Sequence, residues 1–287
     1  MKVYPSPLRY PGGKSRFAPF IASIMKGNSL SGHYLEPYAG GAGVAISLLT
    51  QGIVSHIHIN DADPAVYDFW SAVTKYPNDI LKLLDDIPVT IDQWYHWREV
   101  LRGNIEVSSV ERGFATLFMN RTNRSGILKG GVIGGYAQDG KYKLDARFKK
   151  EEIKKRIENI AKWANNISVY NEDALELLKQ CSQILPPNSL IYLDPPYYIK
   201  GKGLYRNFYN HQDHVEIAKF ICDSSFKIPW IVSYDNVKEI QEMYASAKKY
   251  SYELNYTAQK RYVGSEIMFF SNILIVPEHT LYGTFVA

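Results

Sequence analysis

Two periods of apolar residues run through this chain. Short, nearly continuous apolar runs, as buried strands of a parallel sheet show, occur at Tyr34-Leu35, in HIHIND (56–61), at the start of ISVYNEDALELL (167–178), in LIYL before Asp194 and in IPWIVSYD (228–235). Helical spacing fills 14–26, 43–51, 64–75 and 149–164. The alternation breaks in the middle: residues 79–121 carry helical periodicity without a parallel strand, and 122–148, rich in Gly, Asn and Lys, read as a long loop region. Residues 252–276 predict a hairpin of two strands. The expected architecture is an α/β domain built from 1–75 and 165–287, ending in a C-terminal β-hairpin and interrupted by a mostly helical insertion at about 76–164.

Three of the strand runs are followed by an acid: Asp61, Asp173 and Asp194. In open α/β sheets ligands bind beyond the carboxyl ends of the strands, which is where these side chains would stand. After the first run comes EPYAGGAG (36–43), whose Gly40, Gly41 and Gly43 make a tight turn into a helix; such a turn lets a ligand approach the backbone. Asp61 follows roughly 20 residues later, the place of a ribose-binding acid in nucleotide-binding α/β folds. Asp194-Pro195-Pro196-Tyr197 combines an acid, two stiff prolines whose carbonyls face no competing N–H, and a flat ring, which together suit a planar exocyclic amine. The plainer alternatives are a strand followed by a turn, and helix N-capping for Asp61 and Asp173. RYPGGKS (9–15) invites a phosphate-loop reading, but that motif needs a glycine at position 8, where this chain has Leu8, so a nucleoside triphosphate site is excluded.

PLRYPGGKSRF (7–17), EPYAGGAG (36–43), IHINDAD (57–63), FMNRTNRSG (118–126) and YLDPPYY (192–198) resemble the motifs of Dam-type N6-adenine DNA methyltransferases, and the resemblance runs from Leu8 to about Val276. One departure is Ala42, where many members carry glycine. The resemblance implies a Rossmann-like methyltransferase domain, a target-recognition role for the insertion, and S-adenosylmethionine as cofactor, an activated sulfonium that needs no metal. It implies that Tyr10 touches or shapes the pocket of the cofactor's methionine end and that Lys14 pairs with an acid. Glu36, Pro37 and the backbone from Tyr38 to Gly43 would hold the amino-acid part, Asp61 the ribose hydroxyls and Asp173 the adenine amino group. The Asp194 carboxylate and Pro195 carbonyl would take both N6 hydrogens of a target adenine, with Tyr197 stacking on a base drawn out of duplex DNA. Two alternatives stay open: an RNA amino-group methyltransferase, which shares the four-residue motif, and a DNA-binding protein with a decayed core. A solitary enzyme and the modification half of a restriction pair, with a cognate endonuclease as partner, are equally open.

Charge bears on the partner. The net charge is only +4, but residues 94–156 hold fourteen Lys or Arg against seven Asp or Glu, as a polyanion-binding face would. KKEEIKKRIENI (149–160) alternates in sign and also fits a solvated helix face. NRTNRSGILKGGVIGG (120–135) sets Arg121, Asn123, Arg124 and Lys129 among glycines; arginine reads guanine and asparagine adenine in the major groove, so this loop is expected to read sequence. Lys141 and Lys143 are expected on phosphates, and Arg9 is a further candidate. IKGKGLYRNFYNHQDH (199–214) offers Lys200, Lys202 and Arg206 for phosphates and aromatic rings for stacking, or is an ordinary connection whose His211 and His214 start a helix. No apolar run is long enough to span a membrane and the first residues lack a signal-peptide stretch, so a cytoplasmic protein without a membrane partner is expected. Cys181 and Cys222 are too few for a disulfide framework or a zinc site.

Overall fold

The computed structural model describes residues 5–10, 13–199, 209–256, 262–277 and 283–285. The chain runs α1 (Ala18–Gly27), β1 (His33–Glu36), α2 (Gly43–Thr50), β2 (His56–Asn60) and α3 (Pro64–Lys75). Four helices follow: α4 (Pro77–Asp86), α5 (Ile91–Arg102), α6 (Ser109–Thr122) and α7 (Lys150–Ala161). Then come β3 (Ile167–Tyr170), α8 (Ala174–Ile184), β4 (Leu190–Leu193), α9 (His211–Cys222), β5 (Trp230–Asp235), α10 (Lys238–Met243), β6 (Lys248–Tyr256), β7 (Tyr262–Phe270) and β8 (Gly283–Phe285).

The strands form one 8-stranded sheet in the order β3-β2-β1-β4-β5-β7-β6-β8. The first five in this order are parallel, and β7 runs antiparallel between β5 and β6. This is a Rossmann-like arrangement. Strand order reverses between β1 and β4, and the crevice beyond the carboxyl ends of those two strands is where such sheets bind ligands. Every residue of β4 and β5 is buried, which explains the apolar runs at 190–193 and 230–232. Local chemistry fixes the helix starts: Asp63 accepts from Ala65 N ahead of Pro64 in α3, Ser108 and Glu111 form a capping box for α6, and Asn210 and Asp213 form another for α9.

The expected hairpin is present but shifted. It begins at Lys248 and ends at Phe270, because Ser271 to Leu274 close a turn through Leu274 N→Ser271 O instead of continuing the strand. It also continues the main sheet, and the short β8 adds an edge strand that the sequence pattern did not suggest. Residues 122–148 are mostly irregular, as expected, with short 3-10 turns and one bridge between Asn123 and Val132.

Two apolar clusters hold the molecule. One contains Leu35, Leu177, Ile191, Ile217, Val232 and Tyr244. The other begins with Phe17, Ile21, Ile57 and Trp70 and continues without a break into Phe114, Phe118, Ile153 and Ile157 of the helical insertion. The joint is tight: a Cβ on Gly113 of α6 would fall 2.7 Å from the Asp68 carbonyl of α3. The Arg112–Asp68 ion pair closes the same contact. No helix among the described residues is long and apolar enough to cross a membrane.

Candidate active site

The glycine turn after β1 is held from three sides. Gly40 N donates to Asp61 Oδ2 at 3.0 Å, Trp70 Nε1 donates to Gly40 O at 2.9 Å, and Ala42 N returns to Ala39 O at 2.6 Å. From below, the N-terminal segment packs against it. A Cβ on Gly40, where φ is +44°, would fall 2.7 Å from the Tyr10 ring, and one on Gly43 would fall 1.9 Å from Ser15 Oγ. Gly41 is less confined, with its nearest neighbour at 3.4 Å. Ala42 adopts a left-handed φ of +45°. That conformation costs about 1–2 kcal/mol for a non-glycine residue, while glycine would lose roughly 0.5–1 kcal/mol more on folding. The first exceeds the second by roughly 1 kcal/mol, a cost small enough for the departure from the glycine of many members to be tolerated.

Around this turn the expected cofactor residues take distinct places. Glu36 is buried and its Oε1 accepts from Tyr34 OH at 3.1 Å and Ala45 N at 3.0 Å, so it braces the start of α2 from inside. Burial pushes its carboxyl up to about 8, against those two hydrogen bonds. Pro37 O accepts from Asn60 Nδ2 at 2.9 Å, and Tyr38 OH donates to Tyr209 OH at 3.0 Å. Asp61, at the exit of β2, uses Oδ1 for Asp63 N at 2.9 Å and Oδ2 for Gly40 N at 3.0 Å. Each carboxylate oxygen accepts two hydrogen bonds, so capacity for a pair of hydroxyls remains. Burial pushes Asp61 up to about 7, with the Asp63 carboxylate adding to the rise and the two N–H groups opposing it. Asp173 is exposed, and its Oδ1 caps α8 by accepting from Leu175 N at 2.8 Å and Glu176 N at 3.3 Å. The set fits S-adenosylmethionine: a sheltered glycine turn, with acceptor carboxylates at the exits of β2 and β3.

Asp194 stands where β4 ends, across the switch point from the turn. Its side chain is 26% exposed, while the Lys14 ammonium 3.3 Å from its Oδ1 is 3% exposed. Ser233 Oγ donates to the same oxygen at 2.7 Å and is itself paired with Tyr192 OH at 3.0 Å. Burial raises the proton affinity of Asp194; Lys14 and Ser233 pull it back, and Glu266 adds to the rise. Burial alone would depress Lys14, but Asp194 and Glu266 outweigh it and keep the ammonium well above its ordinary range. Lys14 thus pairs with two acids. The second, Glu266, was not visible beforehand; its signal was a carboxylate directly before the apolar run at 267–270 of β7, just as Ser233 follows the apolar start of β5.

One expectation for this motif is corrected. Tyr197 is only 4% exposed, and its hydroxyl accepts from Lys14 Nζ at 3.0 Å and donates to Glu266 Oε1 at 2.5 Å. It is a buried member of the charge network and offers no open face for stacking. Pro195 is buried and Pro196 half-buried beside it. The next residues are pinned separately, with Tyr198 N and Ile199 N donating to the Asp235 carboxylate at 2.9 and 3.0 Å.

The expected base-reading loop divides. Arg121 is the last but one residue of α6, 8% exposed, with Nε donating to Pro7 O at 2.6 Å. Asn123 is fully buried: it accepts from Trp94 Nε1 at 2.7 Å and donates to Ile127 O and Leu128 O. Neither can reach a base edge: α6 runs on to Thr122, the Arg121 side chain is turned in against the N-terminal segment at Pro7, and Asn123 roots the loop. Arg124, Lys129 and Lys141 are exposed. Arg9 is half-buried, its backbone N and O both bonded to the Asn120 amide. Lys200, Lys202 and Arg206 lie outside the described residues. His211 does open α9. A surface not foreseen stands beside the loop. Tyr95 and the 60%-exposed Tyr136 have nearly parallel rings 6.3 Å apart, and the Arg98 guanidinium lies 5.2 Å from the Tyr95 ring.

A family model, described as D12 class N6 adenine-specific DNA methyltransferase, matches residues 10–258. No curated protein matches the chain. Among solved structures, a SAM-dependent methyltransferase from Agrobacterium tumefaciens shares 10% identity at a TM-score of 0.42, over 89% of this chain and 61% of that one. The rRNA methyltransferase aviRa from Streptomyces viridochromogenes shares 13% identity at a TM-score of 0.40, over 92% of this chain and 86% of that one. The family match extends from Tyr10 under the glycine turn through Asp61 and Asp194 into the hairpin, and the chain belongs to the D12 class of N6 adenine-specific DNA methyltransferases.

Proposed function

We propose that this chain moves the methyl group of S-adenosylmethionine to N6 of an adenine drawn out of duplex DNA, at a sequence read by the helical insertion. The observation that carries the reading is Asp194: a carboxylate held from beneath by Lys14 and Ser233, open to solvent above, and set across the switch point from the glycine turn. Asp61, Asp173 and the backbone from Tyr38 to Gly43 would hold the cofactor, which supplies an activated methyl on a sulfonium. The N6 amine is a poor nucleophile because its lone pair is delocalised into the ring. An Asp194 carboxylate and a Pro195 carbonyl on its two hydrogens would localise that pair toward the methyl. Positive charge then develops on nitrogen beside a carboxylate already in place, so positioning and electrostatic preorganisation supply most of the rate. Since Asp194 has a raised proton affinity, it is also a suitable acceptor for the N6 proton as that charge grows.

The test is transfer of labelled methyl to duplex DNA, single-stranded DNA and RNA, followed by nucleoside analysis. N6-methyladenine in duplex DNA is expected; methylated RNA with unmodified DNA would overturn the reading. Single-base modification detection in the genome of an overexpressing host then gives the sequence.

Cofactor binding has a defined pH dependence. Asp61→Ala weakens S-adenosylmethionine binding by roughly 1.5–3 kcal/mol, as loss of charge-assisted hydrogen bonds does. In the wild type, the ionised Asp61 is the better acceptor and its carboxyl titrates at about 7. Affinity therefore falls as pH is lowered through neutrality and levels off above it. Calorimetry from pH 6 to 8.5 measures both; flat affinity in the wild type and the variant would leave Asp61 a pure turn brace.

Reading and holding DNA separate by residue. Arg124→Ala loses about 1–3 kcal/mol on the cognate duplex and little on a scrambled one. Lys141→Ala weakens both alike and lowers the salt slope by about one. Tyr136→Ala loses about 1–3 kcal/mol if its ring stacks on a base. Equal losses on both duplexes for Arg124→Ala would move the search for the reader away from this loop.

A further inference from the structure

We propose that Glu266 is a positioning residue for Asp194, acting through the Lys14 ammonium that the two carboxylates share. The proposal rests on reading Asp194 as the acceptor of the N6 hydrogens. Glu266 lies on β7, 72 positions from Asp194 in the sequence numbering, and its side chain is fully buried. Its Oε2 lies 3.2 Å from Lys14 Nζ and accepts from Tyr252 OH at 2.6 Å, while its Oε1 accepts from Tyr197 OH at 2.5 Å. A carboxylate in an apolar strand carries a desolvation penalty of several kcal/mol, and a well-packed apolar residue would serve stability as well or better. Its presence calls for another reason, and the distances supply one.

Lys14 is divided almost evenly, 3.3 Å from Asp194 and 3.2 Å from Glu266. One cation between two carboxylates leaves the group with a net negative charge. If Asp194 held Lys14 alone, its charge would be better neutralised and it would be a weaker acceptor for an amine hydrogen. Sharing keeps Asp194 ionised by proximity to the ammonium, yet basic enough to accept. The same carboxylate also ties down Tyr197, so the backbone that presents the Pro195 carbonyl is fixed by the element that sets the charge. The other groups facing Asp194 are Ser233 from β5, Tyr192 from β4, and Glu36 and Tyr34 from β1, while Tyr252 from β6 faces Glu266 and Lys14. Glu266→Gln keeps the shape of the side chain, while the Tyr197 and Tyr252 hydroxyls exchange a carboxylate acceptor for an amide one.

The experiment uses the full chain with ¹³C-carboxyl aspartate, the Asp194 signal being assigned by its loss in Asp194→Asn. In Glu266→Gln, Lys14 no longer divides its charge with a second carboxylate, so the Asp194 titration midpoint moves to lower pH. In Lys14→Gln it moves to higher pH. The acid limb of the kcat profile follows in the same direction for Glu266→Gln. At neutral pH kcat falls about tenfold, equivalent to about 1.4 kcal/mol of transition-state stabilisation, with KM for S-adenosylmethionine and DNA within about twofold. Tyr252→Phe is the milder variant should Glu266→Gln fail to fold. It strips a hydrogen bond from Glu266, which then draws Lys14 more strongly, and the Asp194 midpoint rises. A folded Glu266→Gln or Tyr252→Phe whose Asp194 midpoint and kcat profile match the wild type overturns the proposal. The titration needs no turnover, so absence of adenine methylation by the wild type would count against the proposed function and leave the charge coupling to be judged by its own midpoints.

Discussion

Alanine at position 194 abolishes methyl transfer while S-adenosylmethionine affinity stays within about tenfold. The expectation follows from where Asp194 is anchored. It is anchored by Lys14 and Ser233, whereas Asp61 and the glycine turn that would carry the cofactor are held to each other through Gly40 N. What is lost is the acceptor that meets the amine, an interaction worth most in the transition state. Removing one such preorganised group commonly costs 10²–10³ in kcat, about 2.7–4 kcal/mol, and here the base loses positioning as well. Asp194→Asn is the companion variant. It keeps the shape and an acceptor oxygen but not the charge, so measurable turnover below the wild type is expected of it. Single-turnover transfer of labelled methyl, with calorimetry of the cofactor, gives both halves. Near-normal turnover in Asp194→Ala would remove the role assigned to this carboxylate.

Asn123→Ala is expected to cost about 2–4 kcal/mol of folding stability. The amide holds three partners at once, the buried Trp94 Nε1 at 2.7 Å and the half-buried Ile127 O at 2.9 Å and Leu128 O at 3.0 Å. Truncation leaves all three without their partner inside a fully buried site. Because those bonds root the loop bearing Arg124 and Lys129, affinity for cognate and scrambled duplexes should fall together. Urea unfolding at unchanged slope measures the first effect, and a binding series on the two duplexes the second. Wild-type stability combined with lost discrimination would return Asn123 to a base-reading role.

The sheet, its strand-end acids and the helical interruption were legible because each depends on local pattern. Buried strands are short apolar runs, and Asp61, Asp173 and Asp194 follow them directly. The pairing of Lys14 with an acid was legible through resemblance, but its second partner was not: Glu266 meets Lys14 only because β7 lies beside β5, a long-range antiparallel pairing that no local spacing encodes. Arg121 and Asn123 misled for a related reason. Residue type and nearby glycines signalled a groove-reading loop, whereas burial decides what an arginine or asparagine does, and α6 extends to Thr122. Tyr197 shows the same limit. Its ring faces inward because a carboxylate 69 positions later accepts its hydroxyl.

The unbroken apolar cluster beneath the helical insertion bears on how specificity in this molecule could be exchanged. Phe114 and Phe118 of α6 belong to the same buried cluster as Phe69 and Trp70 of α3, and Gly113 admits no side chain against the Asp68 backbone. A graft cut at 76 and 164 would therefore strip apolar surface from both pieces, and a donor helix with alanine at the crossing would ride up on α3. Transplanting a foreign helical insertion here means carrying α3, together with Leu8, which shares the cluster, as part of the cassette.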